Sequence, residues 1–350
     1  MNCSMRVGII TFQHAFNYGA FLQAEALHGR LAVLGHSPEI IDYRNPALEA
    51  MHERCIRYGW NPFRKRANLD RRRRFVEALR RLNCSPSINS PEAIDWSRYD
   101  AVVYGSDEVW NFSTHCHRFD PVYFGGGASA VSRRIAYAPS LGDLDWRTAA
   151  VPREIPDLLA RFSGISVRDA NAVAFVEKMT GRIPPVVVDP VFLHDWPDLP
   201  PIVRPGKPFV LIYGEIRDRE AVNACKAWCS HRGWITISVG YLNPWCDRVI
   251  LNQGPREFLA WLRASEAILT STFHGTMFSI KFEKPFATLR TPSARNKFEP
   301  ILNQLGLGER LLNHPNQLLP LPSEIEWQEP NRILNRRTEE SIGFLGNALE

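Results

Sequence analysis

Short apolar runs alternate with helical segments along most of this chain, and this alternation restricts the fold more than any other feature. The apolar runs have the length of buried strands, and the segments between them have helical length and spacing. Strands and helices in alternation predict parallel sheets covered on both faces, so the expected class is α/β. The predicted strands are 6–12, 37–43, 100–104, 134–138, 164–167, 185–188, 209–213, 234–239, 266–270 and 286–289, and the predicted helices include 19–34, 217–231, 255–264 and 275–283.

A proline-rich stretch, 196–208 (WPDLPPIVRPGKP), divides the pattern into two sets and has the composition of a linker. A chain of 350 residues is long enough for two domains. We therefore expect two Rossmann-like domains facing each other across a cleft. Residues 1–195 form the first domain, 209–335 the second, and 336–350 a C-terminal helix.

Composition limits the cellular setting and the cofactors. Seven cysteines with no CxxC pair indicate reduced thiols, so we expect a cytoplasmic protein without a metal site. No apolar run approaches the roughly 20 residues that span a bilayer. The N-terminal segment is typical of a first strand and not of a signal peptide.

Residues 64–81 (RKRANLDRRRRFVEALRR) concentrate positive charge. Nine Arg or Lys minus two acidic residues give this segment +7, against +5 for the whole chain. The spacing predicts a helix over 64–82, in the first domain, with Asp70 as its N-cap. Three interpretations stay open: a solvated helix face, a patch for a polyanionic or pyrophosphate-linked acceptor, and a peripheral contact with the anionic inner face of a membrane. Nucleic acid is not expected, because no recognition module accompanies the patch.

Polar residues follow several predicted strands of the first domain. In open parallel sheets ligands bind beyond the carboxyl ends of the strands, so these residues are candidates for one wall of a site. The candidates are His14, Asn17, Tyr18, Ser106, Asp107, Arg168 and Asp189.

The stretch Thr270–Thr276 (TSTFHGT) supplies the opposite wall. It predicts a buried strand, a polar turn and a helix that begins near Gly275. Such a turn presents backbone N–H groups and the positive end of a helix dipole to an anion. His274 beside it can transfer a proton, and we expect it to approach from the second domain.

The sequence resembles the polysaccharide pyruvyl transferase family over about residues 6–310. The matching segments are GIITFQHAFNYGAFLQA (8–24), YDAVVYGSDEVWN (99–111), YAPSLG (137–142), SVRD (166–169), VVVDP (186–190) and TSTFHGTMFSIKFEKPF (270–286). The resemblance implies a glycosyltransferase-B-like pair of domains. It also implies transfer of the pyruvyl group of phosphoenolpyruvate to a sugar as a ketal. Phosphoenolpyruvate is then a co-substrate, no further cofactor is needed, and the acceptor is a glycan or a lipid-linked oligosaccharide.

The resemblance also implies roles for the candidate residues. His274 is then the acid–base catalyst, and the chemistry of ketal formation makes Asp107 or Asp189 the expected group that activates the sugar hydroxyl. Another branch of the family has a donor-binding arginine where this chain has Thr272. The expected donor-binding residues are Arg168, Ser271, Thr272, Gly275, Arg295 and Lys297, and the expected acceptor-binding residues are His14, Asn17, Tyr18, Ser106 and Asp189.

Structural interpretations compete with several of these roles. Arg168 could pair with Asp169 or Asp189, Asn17 could cap a helix, and Asp189 could end a strand. Ser106 and Asp107 together also resemble a helix start. Two other functions stay open for the whole chain: a sugar-nucleotide-dependent glycosyltransferase and a non-catalytic polyanion-binding protein.

Overall fold

The computed structural model describes residues 4–57, 62–113, 118–290, 298–318 and 324–350. The chain divides into two compact units. The first unit comprises Met1–Tyr58, Val76–Asp195 and Arg336–Glu350, and the second comprises Gly59–Phe75 and Trp196–Asn335. One division therefore falls where the proline-rich stretch begins.

A five-stranded parallel sheet forms the centre of the first unit. Its strands are β1 (Arg6–Ile10), β2 (Ser37–Ile40), β3 (Ala101–Tyr104), β4 (Arg133–Ala136) and β5 (Gly164–Ile165). They lie in the order β2-β1-β3-β4-β5. The central strands are buried almost throughout, as expected for a parallel sheet with both faces covered.

Helices connect these strands. They are α1 (Tyr18–Val33), α2 (Pro46–Arg57), α3 (Pro62–Leu79), α4 (Ile155–Ala160) and α5 (Ala170–Thr180). Helix α1 begins where it does because the Asn17 side chain accepts the N–H groups of Gly19 and Ala20.

The second unit contains a six-stranded parallel sheet. Its strands are β6 (Phe209–Tyr213), β7 (Ile235–Val239), β8 (Arg248–Ile250), β9 (Ala267–Thr270), β10 (Phe286–Leu289) and β11 (Leu311–Leu312). They lie in the order β11-β10-β9-β6-β7-β8. The helices that follow along the chain are α6 (Arg219–His231), α7 (Pro255–Ala264), α8 (Phe273–Lys281), α9 (Glu299–Gln304) and α10 (Gln328–Leu349). From Arg336 onward, α10 belongs to the first unit.

Two α/β units with parallel sheets confirm the predicted fold class. The predicted strand 185–188 is wrong, because Val186 makes only an isolated bridge with Val167. Pro184 and Pro185 lack the N–H groups that a ladder needs, and the hydroxyl of Tyr137 donates to the carbonyl oxygen of Val188.

The basic segment also differs from its prediction. Helix α3 begins at Pro62, so Asp70 lies inside the helix and is not its N-cap. Its residues up to Phe75 belong to the second unit and not to the first. There Arg71 donates to the carbonyl oxygen of Gly240 at 3.0 Å, and Arg74 pairs with Glu257 at 2.7 Å. No helix in the described part of the chain has the length and apolar character needed to cross a bilayer.

Candidate active site

Each sheet has a point at which the chain changes its direction of winding. In the first unit β1 lies between β2 and β3, and in the second β6 lies between β7 and β9. Connections leave the two strands at such a point on opposite sides and open a crevice at their carboxyl ends, where open α/β sheets bind ligands. The first switch point is therefore bordered by the residues after β1 and β3, and the second by those after β6 and β9.

Asp107 follows β3 in a tight turn at the first switch point. Its φ angle of 69° lies in the left-handed region, which is uncommon for residues other than glycine. Its N–H donates to the hydroxyl of Ser106 at 2.5 Å, and its carboxylate accepts the N–H of Glu108 at 2.9 Å. Because unfavourable backbone angles of this kind are concentrated at functional sites, the turn supports the prediction that Asp107 is functional.

Arg168 lies at the centre of a buried ion-pair cluster in the first unit. Its Nη1 donates to Asp189 Oδ2 at 2.8 Å, and its Nη2 lies 3.8 Å from Asp107 Oδ1. The side chains of Arg168 and Asp189 are 6% and 1% exposed, whereas that of Asp107 is 16% exposed. Asp169 joins the same edge and accepts a hydrogen bond from the Ser140 hydroxyl at 2.6 Å. The structure thus brings together Asp107, Arg168 and Asp189, as predicted, although Asp189 follows an isolated bridge and not a strand.

The charge of this cluster argues against a donor-binding role for Arg168. Burial by itself lowers the pKa of the guanidinium, but Asp189, Asp107 and Asp169 outweigh it and raise the pKa above its usual value. Three carboxylates and one guanidinium give a formal charge of −2, which disfavours a phosphate or a carboxylate ligand. The structure shows the alternative, in which Arg168 pairs with Asp189.

The predicted acceptor-binding residues separate into different environments. Tyr18 and Ser106 are fully buried, and their acceptor-binding roles stay predictions. Asn17 caps α1, the structural role that competed with acceptor binding. His14 is half-buried in the connection between β1 and α1, and its acceptor-binding role stays a prediction.

Thr272 shapes the turn at the second switch point. It is the N-cap of α8, and its hydroxyl accepts the N–H of Gly275 at 3.0 Å. Its own N–H donates to the Thr270 hydroxyl at 3.0 Å, and that hydroxyl donates to the carbonyl oxygen of Tyr213 at 2.6 Å. The hydroxyls therefore tie the end of β6 to the start of α8. Because of this cap, α8 begins at Phe273 and not near Gly275.

His274 is the second residue of α8 and is 7% exposed. Its ring packs edge-on against Phe273, with 5.3 Å between the centroids, and lies 6.4 Å from the ring of Phe278. An imidazole in an apolar wall beside a helix N-terminus can move a proton next to an anion held by the backbone N–H groups. This is the arrangement that the sequence predicted for the turn.

Close packing at the second switch point leaves little space around Ser271 and Gly275. A Cβ atom on Gly275 would overlap the Thr270 hydroxyl and lie 2.7 Å from that of Thr272. A Cβ atom on Gly214, directly after β6, would overlap the Ser271 hydroxyl, and Gly214 has a φ angle of +124°. The two strand ends at the second switch point therefore approach each other so closely that only glycines fit.

Two residues at the carboxyl edge of the second sheet, Asn243 and Arg290, were not predicted from the sequence. Buried Asn243 accepts the N–H of Ile216 at 3.0 Å and donates to the carbonyl oxygen of Gly214 at 2.9 Å, which fixes the turn after β6. It lies in an irregular loop and gave no signal. Arg290 directly follows β10, the neighbour of β9, and its position after a predicted strand could have identified it.

Among the described residues, Arg290 supplies a positive charge next to β9, the strand that leads into the turn at Thr270–Thr276. It pairs with Glu299 at 3.3 Å, and its buried Nε has no hydrogen-bond partner among the described residues. The predicted donor-binding residues Arg295 and Lys297 lie outside the described residues. Within the described residues, no group of three or more His, Cys, Asp or Glu side chains is arranged to hold a metal ion.

Comparison with known proteins identifies the family. The model of the family described as polysaccharide pyruvyl transferase matches residues 17–292, most of the chain, including Asp107, Arg168 and His274. The chain belongs to the polysaccharide pyruvyl transferase family. This confirms the resemblance drawn from the sequence motifs, and the family is one of transferases. The comparison with curated protein sequences gives no match.

Solved structures similar to this family member include glycosyltransferases with the glycosyltransferase-B fold. Arabidopsis thaliana UGT89C1 complexed with UDP-L-rhamnose has a TM-score of 0.53 at 12% identity, over 99% of this chain and 100% of that one. The glycotransferase of kitacinnamycin has a TM-score of 0.52 at 13% identity, over 99% and 98%. These similarities confirm the predicted glycosyltransferase-B-like fold.

Proposed function

We propose that this protein transfers the pyruvyl group of phosphoenolpyruvate to two hydroxyls of a sugar and forms a ketal. Membership in the family supports a transferase acting on a polysaccharide or its precursor. The observation that carries the finer assignment is the position of His274 in the first turn of α8, at the second switch point. A proton source next to an anion-binding helix end suits phosphoenolpyruvate, which carries a phosphate and a carboxylate and must be protonated at carbon.

The proposed reaction balances without a redox cofactor. His274 gives a proton to the methylene carbon, which becomes the methyl group and leaves an oxocarbenium-like centre at the next carbon. One sugar hydroxyl adds to this centre and loses its proton. The bond from the centre to the phosphate oxygen then breaks, inorganic phosphate leaves, and a second hydroxyl adds and loses its proton. Of the two hydroxyl protons, one returns to the histidine and the other leaves with phosphate.

The residues of the two units suit different parts of this reaction. In the first unit Asp107 is the most exposed of the carboxylates that pair with Arg168, and in our proposal it takes up the hydroxyl proton that then leaves with phosphate. In the second unit the N–H groups at the start of α8, together with Arg290, bind the donor. Arg168 is assigned to holding Asp107 and Asp189 in place.

The acceptor is a glycan or a lipid-linked precursor, and the site of action proposed is the cytoplasm or the inner face of the membrane. No cofactor enters the proposed reaction apart from phosphoenolpyruvate as co-substrate. A second candidate is a sugar-nucleotide-dependent glycosyltransferase, because UGT89C1, with the same fold, was crystallised with UDP-L-rhamnose. The N-terminus of α8 would suit a diphosphate as well as a phosphate.

The test is release of phosphate from phosphoenolpyruvate with a panel of acceptor sugars. We expect release by the wild type only when a suitable sugar is present, and a loss on the order of 10²–10⁴-fold in His274→Gln. The matched control is His231→Gln, because His231 is exposed at the end of α6 in the same unit. Equal activity in His274→Gln would overturn the mechanism. A melting temperature raised by UDP-sugars and not by phosphoenolpyruvate would favour the glycosyltransferase.

A further inference from the structure

Helix α3 has two faces with different environments. One face is docked in the second unit, where Phe75 is 4% exposed and the Arg71 and Arg74 side chains bind Gly240 and Glu257. The other face is exposed and combines cations with large apolar side chains. We call it the basic face; its residues are Phe63, Lys65, Arg66, Leu69, Arg72 and Arg73.

The apolar members of the basic face are unusual for a solvated helix. Phe63 is 83% exposed and Leu69 is 50% exposed. At 100° per residue, Leu69 lies between Lys65 and Arg73, within roughly 40° of each, whereas Phe63 lies at the edge of the exposed side, roughly 60° from Arg66. A soluble polyanion needs only the cations. An apolar group flanked by cations fits the boundary between lipid headgroups and acyl chains.

We propose that the basic face of α3 binds the surface of an anionic phospholipid bilayer. The cations lie among the headgroup phosphates, and Phe63 and Leu69 enter the acyl boundary. The docked face keeps Arg71, Arg74 and Phe75 on the protein. This inference is independent of the proposed reaction, because it concerns binding without donor or acceptor. If the acceptor is lipid-linked, the surface would bring the protein to its substrate.

Vesicle flotation tests the proposal, with pure phosphatidylcholine vesicles compared with vesicles that also contain phosphatidylglycerol. We expect wild-type protein to bind only the anionic vesicles, and less as salt rises, because exposed charges are screened. The triple variant Lys65→Gln, Arg66→Gln, Arg73→Gln should bind on the order of 100-fold more weakly, since each cation near such a surface contributes about fivefold. The double variant Phe63→Ala, Leu69→Ala should bind about tenfold more weakly.

Matched controls carry the same changes at other exposed positions. Lys207→Gln, Arg217→Gln, Arg219→Gln removes the same charge from the second unit, and Ile183→Ala, Val203→Ala removes exposed apolar groups. Both controls should bind like the wild type, and all variants should keep the wild-type melting temperature. Equal loss in charge variant and charge control would overturn the proposal. Competition by soluble polyphosphate, with the Phe63→Ala, Leu69→Ala variant unaffected, would replace the membrane with a soluble polyanion.

Discussion

The guanidinium of Arg168 donates a hydrogen bond to the Asp189 carboxylate at 2.8 Å, and both side chains are buried. A buried charge that loses its partner is costly, whereas an exposed pair contributes little. Replacing Arg168 therefore distinguishes a structural role in this pair from a role in binding the donor.

Arg168→Met should lower the free energy of unfolding by about 3–5 kcal/mol, because it removes the guanidinium that pairs with the buried Asp189 carboxylate. Denaturant unfolding monitored by circular dichroism measures the change. Arg332→Met is the control, because Arg332 pairs with Glu329 at 2.6 Å on the surface and should leave stability almost unchanged. Unchanged stability in Arg168→Met, together with a raised KM for phosphoenolpyruvate, would restore the donor-binding role.

Substitutions of Thr272, the N-cap of α8, distinguish its effect on stability from its effect on donor binding. Thr272→Asn and Thr272→Asp both keep a capping oxygen, so unfolding free energies should stay within about 1 kcal/mol of the wild type. The aspartate adds a negative charge where we place the donor, and the KM for phosphoenolpyruvate should rise about tenfold or more in Thr272→Asp alone. Steady-state kinetics on both variants decide this. An equal KM in the two variants would place the donor elsewhere.

Gly275 should not tolerate a methyl group. Gly275→Ala drives a Cβ atom into the hydroxyls of Thr270 and Thr272, and we expect a loss of about 1–3 kcal/mol of unfolding free energy together with most of the activity. Gly343, inside α10, is the control of opposite sign, because a Cβ atom added there would meet nothing within 4 Å. Gly343→Ala should stabilise by about 0.5–1 kcal/mol, because alanine favours the helix. If both substitutions changed the unfolding free energy in the same direction, this account of the turn would be contradicted.

His28 should make stability depend on pH. Burial lowers its pKa below the usual 6.5 in the folded protein. Below pH 6.5 the unfolded chain therefore binds more protons than the folded one, so stability rises with pH in this window and falls on acidification. The partners that act on His28 are the backbone of Pro38, Glu25 and His194.

His28→Gln removes this titration while keeping a hydrogen-bond donor. Unfolding free energies of the variant should fall less steeply than those of the wild type between pH 6.5 and the lowered pKa of His28. Urea unfolding at several pH values measures the slopes. Parallel slopes for the two proteins would show that His28 does not carry the effect.

Much of the second unit could be read from local pattern. Strand 209–213, helix 255–264 and strand 286–289 have the predicted bounds, because each is a buried run or an amphipathic segment with clear limits. In the first unit the same reasoning failed at 185–188, where prolines and side-chain hydrogen bonds replace a ladder. The polar residues after strands were also predictable, since their positions follow from strand order along the chain.

The sequence by itself determined the α/β class, the two sets of strands and the histidine turn, because these depend on residue spacing and on short-range capping. Tertiary structure alone decided what the charges do. Arg168 looks like a phosphate ligand in the sequence, yet Asp107 and Asp189 from two other segments join the neighbouring Asp169 around it once the chain is folded. Likewise, only the burial of Phe75 and the ion pair between Arg74 and Glu257 showed which face of α3 is exposed. The sequence gives the charge of each side chain, but contacts between distant segments decide which charged groups lie next to it.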